Sequence, residues 1–164
     1  MWFVRFSCLD DAVPRELQVP VYRAEDGGEC CVYLDSADSV ARVPGVIDAV
    51  RLEPLQALGA ALPRGGAPWH YVVATDVEPA AEADFNTWYE QEHLPGLAAV
   101  PGTLRAARFR VVEGAGPRYH AGYDLAERSA FNGPAWLAVR GTAWSSRVRP
   151  HFVNTRRTMY RRVP

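Results

Sequence analysis

The run Asp84-Phe85-Asn86-Thr87-Trp88-Tyr89-Glu90-Gln91-Glu92-His93-Leu94-Pro95 concentrates more chemically capable side chains than any other part of the chain. On a helix, Asp84, Trp88 and Glu92 fall at i, i+4 and i+8, and Phe85, Tyr89 and His93 form the adjoining stripe. One flank is therefore aromatic yet carries a carboxylate and an imidazole. A histidine in the last turn of such a helix meets unpaired carbonyls that favour its cation. An imidazole poised near neutrality beside a phenol and a carboxylate suits general acid–base catalysis. The competing reading is an amphipathic helix whose rings are core and whose His93 caps its own C-terminus.

Two further clusters carry chemistry. In Tyr119-His120-Ala121-Gly122-Tyr123, strand alternation puts the tyrosines on one face and His120 with Gly122 on the other. Either Tyr123 or His120 then lines a pocket, unless both serve cross-strand packing. Around Trp144–Phe152, Arg149 and His151 are suited to a ligand carboxylate or enolate. Residues 140–164 hold seven Arg and no acid, a pattern that also describes a solvated strand edge. The histidines His70, His93, His120 and His151 have no metal-ligand spacing, so no metal is expected.

Composition bounds the rest. The chain has 164 residues, 48% hydrophobic, with a net charge of -1, enough for one domain with a sizeable core. All 18 basic residues are Arg, which excludes a Schiff-base lysine and a P-loop lysine. The balance is -4 over residues 1–68 and +3 over 69–164; opposite signs favour packing of the halves, and the acidic first half argues against a nucleic-acid partner. No apolar run reaches the roughly 20 residues of a membrane span. The start turns acidic too early for a signal peptide. Cys8, Cys30 and Cys31 suggest no disulfide framework, so a cytoplasmic protein with reduced thiols is expected.

The elements that must position these groups follow from periodicity. Strands are expected at Trp69–Val77, Thr103–Val112, Arg118–Leu125 and His151–Val163, with helices at Ala80–Leu94 and Arg128–Arg140 and a loop over Gly141–Pro150. This β-α-β-β-α-β order is the split βαβ of a ferredoxin-like sheet. The first half repeats it in blurred form: strands Trp2–Ser7, Val19–Ala24, Cys30–Leu34 and Val46–Leu52, and a helix Ser36–Val43 with Ser36 as N-cap. Leu9–Gln18 is too short for a full first helix. The expected fold class is α+β, two tandem ferredoxin-like βαββαβ-type halves, 1–66 (degenerate) and 67–164, joined near the linker Leu62–Pro68. Each half has an apolar sheet face, and facing sheets within one chain bury both.

The string D-F-N-x-W-Y-x-x-E-H-L-P-x-x-x-x-V-P-G at Asp84–Gly102 resembles the EthD-like branch of the dimeric α/β-barrel superfamily. The strands around Phe109–Arg110 and Arg118-Tyr119, and Arg149-Pro150-His151-Phe152, extend the likeness over the second half. No such string occurs in residues 1–66. The resemblance implies a small barrel with an apolar, aromatic-lined pocket between sheet and helices. Members include cofactor-independent monooxygenases, polyketide cyclases, isomerases, dehydratases and decarboxylases, and some relatives bind haem. Carried over by position, it makes Asp84, Trp88, Tyr89 and His93 pocket residues.

The expectation is a cofactor-free lyase-, isomerase- or cyclase-type enzyme acting on an aromatic or polyketide-like small molecule. His93 would be the acid or base, Tyr89 or Tyr123 a donor to a developing enolate, and Asp84 an orienting carboxylate. Trp88, Phe85, His120, Tyr123, Arg149 and His151 would contact substrate. A non-catalytic small-molecule binder and a haem-dependent or cofactor-free monooxygenase are the alternatives; a homodimer is a compatible assembly.

Overall fold

The computed structural model describes residues 1–8, 18–60, 62 and 66–164. The short Leu9–Gln18 connection and the middle of the linker therefore lie almost wholly outside the described residues. Eight strands close into one barrel: β1 (Trp2–Ser7), β2 (Val21–Ala24), β3 (Glu29–Leu34), β4 (Val46–Gly59), β5 (Trp69–Val77), β6 (Thr103–Glu113), β7 (Tyr119–Leu125) and β8 (Phe152–Arg162). Their order around the wall is β1-β3-β2-β8-β5-β7-β6-β4, and every pair is antiparallel. The fold is α+β, as its alternating strands and amphipathic helices imply.

The strands before and after the Leu62–Pro68 linker meet at two seams. The expected strand Val46–Leu52 continues to Gly59, and its far end pairs with β6, Leu52 opposite Val111 and Leu58 opposite Ala106. β2 pairs with β8 at the other seam. Closing the wall removes the open edges that would otherwise invite aggregation.

Alternation along the strands creates three apolar clusters among the described residues, one of them formed by Val4, Phe6, Val21, Cys30, Val32, Leu34 and Val43 of the first half. Phe3, Tyr22, Cys31, Val50, Leu52, Val72, Ala107, Phe109 and Tyr160 fill the barrel interior. Tyr71, Val73, Tyr119, Ala121 and Tyr123 face the opposite way and pack beneath the helices with Phe85, Trp88, Tyr89, Leu97 and Trp136. The helical layer comprises α1 (Ala37–Val40), α2 (Glu82–Trp88), α3 (Leu94–Ala98), α4 (Pro134–Arg140) and α5 (Ala143–Val148). Ser36 caps α1 by accepting from Ser39 N–H, as expected, although the helix ends at Val40.

Three helical expectations are corrected. The segment ahead of Pro95 does not stop there: a π turn at Tyr89–His93 links α2 to α3, which runs to Ala98. Arg128–Arg140 is a 3-10 turn at Arg128–Ala130 followed by α4, with Pro134 in its first turn. The Gly141–Pro150 loop is mostly α5, capped by Thr142, whose hydroxyl accepts from Ser145 N–H and donates to Glu92 Oε1 at 2.6 Å. Pro101-Gly102 turns the chain into β6, and Gly102 takes φ 89°, a conformation that costs other residues energy.

Cys8 and Cys30 form a disulfide, with 5.6 Å between their Cα atoms, and Cys31 is free and buried in the barrel. This corrects the expectation of unpaired thiols and removes the premise for a reducing compartment. No helix among the described residues is long and apolar enough to cross a membrane.

Candidate functional site

The helices and the second-half sheet enclose a cavity whose buried floor is Tyr71, Trp88, Tyr89, His93, Leu97, Tyr123 and Trp136. Arg140, Arg149 and Arg157 stand at its more exposed rim. Its volume is about 30 Å³, room for roughly two waters or the reacting end of a molecule, but not for a ring.

His93 lies on this floor through the π turn. Its ring stacks on Trp88 and meets Tyr89 edge-on at 5.1 Å. Nδ1 is buried with no hydrogen-bond partner among the described residues. Burial first, then the charges of Arg149, Arg140 and Arg108, push the His93 pKa down to about 3. The ring is therefore a neutral base at pH 7. This corrects the expectation of a cation favoured by helix-end carbonyls, because the helix continues past His93 and the nearby charges are positive.

The phenols around it are protonated acids. Burial raises Tyr89, with Arg108 opposing, and raises Tyr123 further. The Tyr123 hydroxyl forms no hydrogen bond of normal geometry. Arg108 sits behind Tyr89, its Cζ 4.4 Å from that ring, 4.7 Å from Phe85 and 4.8 Å from Tyr119. This cage offsets part of the cost of a buried cation, and Arg108 also donates to Asn86 Oδ1 at 2.6 Å. No carboxylate of the described residues pairs with Arg149 or Arg157, and Arg140 bonds only the Asn132 amide. The rim is thus an anion-attracting ring above a neutral imidazole and two phenols.

The structure brings Trp88, Tyr89, His93, Tyr123 and Arg149 together at this cavity. Four expected members lie elsewhere. Asp84 is half-exposed outside it, accepting from Trp144 Nε1 at 2.9 Å and pairing with Arg147, contacts that hold its carboxyl below the usual range. Phe85 is fully buried core under Arg108. His120 faces the barrel interior on the other side of the sheet, with neither ring nitrogen bonded. His151 pairs with Glu78 at 2.7 Å, away from the cavity.

Tyr71, Trp136, Arg140 and Arg157 were not singled out as site residues by the sequence. Alternation in Trp69–Val77 signals Tyr71, which shares a face with Val73, but Trp136 needs the position of α4. No group of three or more His, Cys, Asp or Glu among the described residues is arranged to hold a metal ion.

The barrel interior holds a second, larger cavity of about 330 Å³. His70 Nδ1 lies 2.8 Å from Asp124 Oδ1, its partner across the β5–β7 ladder, and Nε2 lies 2.9 Å from the Tyr33 hydroxyl.

No protein-family profile matches the chain, and no curated protein matches it either. Solved structures do. A candidate monooxygenase from Fusobacterium nucleatum superposes with a TM-score of 0.69 at 10% identity, over 99% of this chain and 91% of that one. An anthrone oxidase-like protein gives 0.62 at 13%, over 99% and 90%. The heme-degrading enzyme of Listeria monocytogenes gives 0.59 at 11%, over 98% and 99%. At these identities the likeness is one of fold, and the fold of this chain is the dimeric α/β barrel, closed here within a single polypeptide.

Proposed function

We propose that the chain is a cofactor-independent enzyme of the EthD-like branch, moving a proton on an aromatic or polyketide-like small molecule in a lyase-, isomerase- or cyclase-type reaction. The observation that carries this reading is the convergence of a neutral imidazole, two phenols and three guanidiniums on one cavity. Residues 67–164 carry the site in this reading, and residues 1–66 are a degenerate copy that completes the barrel.

The body of the substrate lies in the mouth, with an anionic or enolisable oxygen toward Arg140, Arg149 and Arg157. Only its reacting end enters the cavity. His93 removes a proton from carbon, and the electron pair left behind delocalises onto the carbonyl oxygen. Tyr123 and Tyr89, the latter backed by the Arg108 charge, donate to that oxygen. His93 then returns its proton to another atom of the intermediate or to a leaving group. Burial holds His93 down first and the arginine charges add to it; binding of an anion offsets the charges, so its basicity rises when substrate arrives. A positioned acid–base group of this kind contributes about 10²–10⁴-fold in rate.

The cavity beside His93 does not fit haem. Ligand pockets for drug-sized molecules run to about 300–1,000 Å³, and the cavity beside His93 holds about 30 Å³.

The test is incubation of the protein with phenolic and polyketide-lactone precursors in deuterated buffer without added cofactor, following product and C–H exchange by NMR. His93→Gln should lower both at least 100-fold. Turnover unchanged in that variant would make His93 structural, and ligand-induced thermal stabilisation without product or exchange would make the chain a binding protein.

A further inference from the structure

The structure assigns a second small-molecule site to the barrel interior: a cavity for a neutral hydroxyaromatic compound whose hydroxyl joins the Tyr33–His70–Asp124 chain. It lies on the opposite face of the sheet from the His93 cavity and shares none of its lining residues.

Its walls are apolar, formed by Val19, Pro20, Leu62, Ala107 and Phe109. At about 330 Å³ it has the size of a pocket for a one- or two-ring ligand. The polar groups are few and convergent. Asp124 fixes His70 through Nδ1, and Nε2 engages a hydroxyl that reaches across the barrel from β3. His70 is 4% exposed and Asp124 8%, so this is a desolvated network that costs stability unless its members are satisfied. Tyr33 ends the chain at the cavity, and its remaining oxygen lone pair is open to a ligand O–H.

Gly122 is the second observation. Glycine in the middle of a strand is unfavourable and commonly marks a close approach. A Cβ there would lie 3.0 Å from His70 Cε1 and 3.5 Å from the Tyr33 oxygen. The absence of a side chain is what lets the imidazole lie across β7 and meet Tyr33.

Charge separates this site from the other. Its lining carries two acids, Asp35 and the His70-bound Asp124, and one guanidinium, Arg105, so it offers no excess of positive charge to an anion. The His93 cavity has three guanidiniums and no acid among its lining residues. The barrel interior therefore selects a neutral flat molecule where the helix–sheet cavity selects an anion.

The experiment is titration of the full chain with 2-naphthol, read by its fluorescence. Saturable one-to-one binding is expected, weakened at least 10-fold by Ala107→Leu, which fills the cavity, and by Tyr33→Phe, which removes the terminal hydroxyl. Arg149→Ala should leave it unchanged. No saturable binding to the folded wild-type chain, or binding that only Arg149→Ala removes, would overturn the assignment. Should the cavity-filling variant not fold, intermolecular NOEs on the unaltered chain decide: naphthol to the Ala107 methyl supports the site, and naphthol only to Trp88 or Tyr89 overturns it.

Discussion

The rings of Trp88 and His93 lie nearly parallel, 4.1 Å between centroids and 22° between planes. On an α-helix, residues five apart point about 140° away from each other. They meet here because Tyr89–His93 is a π turn, in which Leu94 N–H bonds back to Tyr89 C=O. Pro95 gives the turn a reason. Proline has no N–H and crowds the carbonyl four residues before it, and a widened turn just ahead of it relieves that crowding. The same local adjustment that lets the helix pass a proline rotates His93 into the cavity.

Deleting Gln91, an exposed residue within the π turn, should restore α-helical register and leave Trp88 and the histidine four residues apart, on one helix face. We expect far-UV circular dichroism to be retained and proton exchange on substrate to stay within a few-fold of the wild type. Exchange lost as completely as in His93→Gln would show that the widened turn does more than bring the two rings onto one face.

His93 should not titrate in the physiological range. With its pKa pushed to about 3, its Cε1 proton resonance is expected to stay at the neutral position from pH 8 to pH 5. Adding a carboxylate-bearing aromatic such as salicylate should move the midpoint up by offsetting Arg149 and Arg140. A free-state midpoint near 6.5 would mean that the ring is solvated.

This part of the molecule shows what a single sequence makes legible. Alternation placed every strand of the second half to within about two residues, because each strand is apolar on both faces or strictly periodic. The composition of residues 84–94 drew attention to Trp88, Tyr89 and His93, which line the helix–sheet cavity. It did not disclose the π turn, since that depends on a clash between Pro95 and a backbone carbonyl rather than on hydrophobic period. Asp84 was misplaced for the same reason: α-helical spacing sets it one stripe from His93, whereas its partners Trp144 and Arg147 belong to α5, a helix whose polar, serine-bearing run reads as loop. The Tyr33–His70–Asp124 chain was invisible because its members come from three strands joined only by barrel closure.

Acid should destabilise the protein through two rings. His93 is held at about 3 and His120 at about 4, each mainly by burial and then by nearby arginines, Arg149 for the first and Arg156 for the second. The unfolded chain takes up protons at both positions as pH falls below about 6.5 while the folded chain refuses them, so stability falls from pH 6.5 downward. The loss is on the order of 2 kcal/mol per ring by pH 5. His120→Phe removes one titrating group and two unbonded buried nitrogens. Its thermal midpoint should exceed that of the wild type, by a larger margin at pH 5 than at pH 8. A pH-independent difference would sink the assignment of acid sensitivity to His120.

Arg108 should behave as a structural cation that lysine cannot replace. Its planar guanidinium contacts three rings and bonds Asn86, which a flexible ammonium cannot reproduce. Arg108→Ala leaves a cavity and an unpartnered Asn86 oxygen, and should cost about 3 kcal/mol or more. Arg108→Lys should recover less than half of that in a denaturant midpoint. Recovery to the wild-type value would show that charge alone matters there.

Asp84 provides the complementary case, a residue of the motif that lies outside the cavity. Its carboxylate is held by Arg147 and by the Trp144 indole, both on α5, and so ties that helix to α2. The pair is solvent-screened, where ion pairs add little to stability. Asp84→Asn keeps an acceptor for the indole and loses only the charge. It should therefore lower the thermal midpoint by a few degrees at most and leave kcat and its pH profile where they were. If instead kcat fell 100-fold with the midpoint unchanged, the carboxylate would have to reach the reacting atoms, and α2 would have to turn in the enzyme–substrate complex to bring it there.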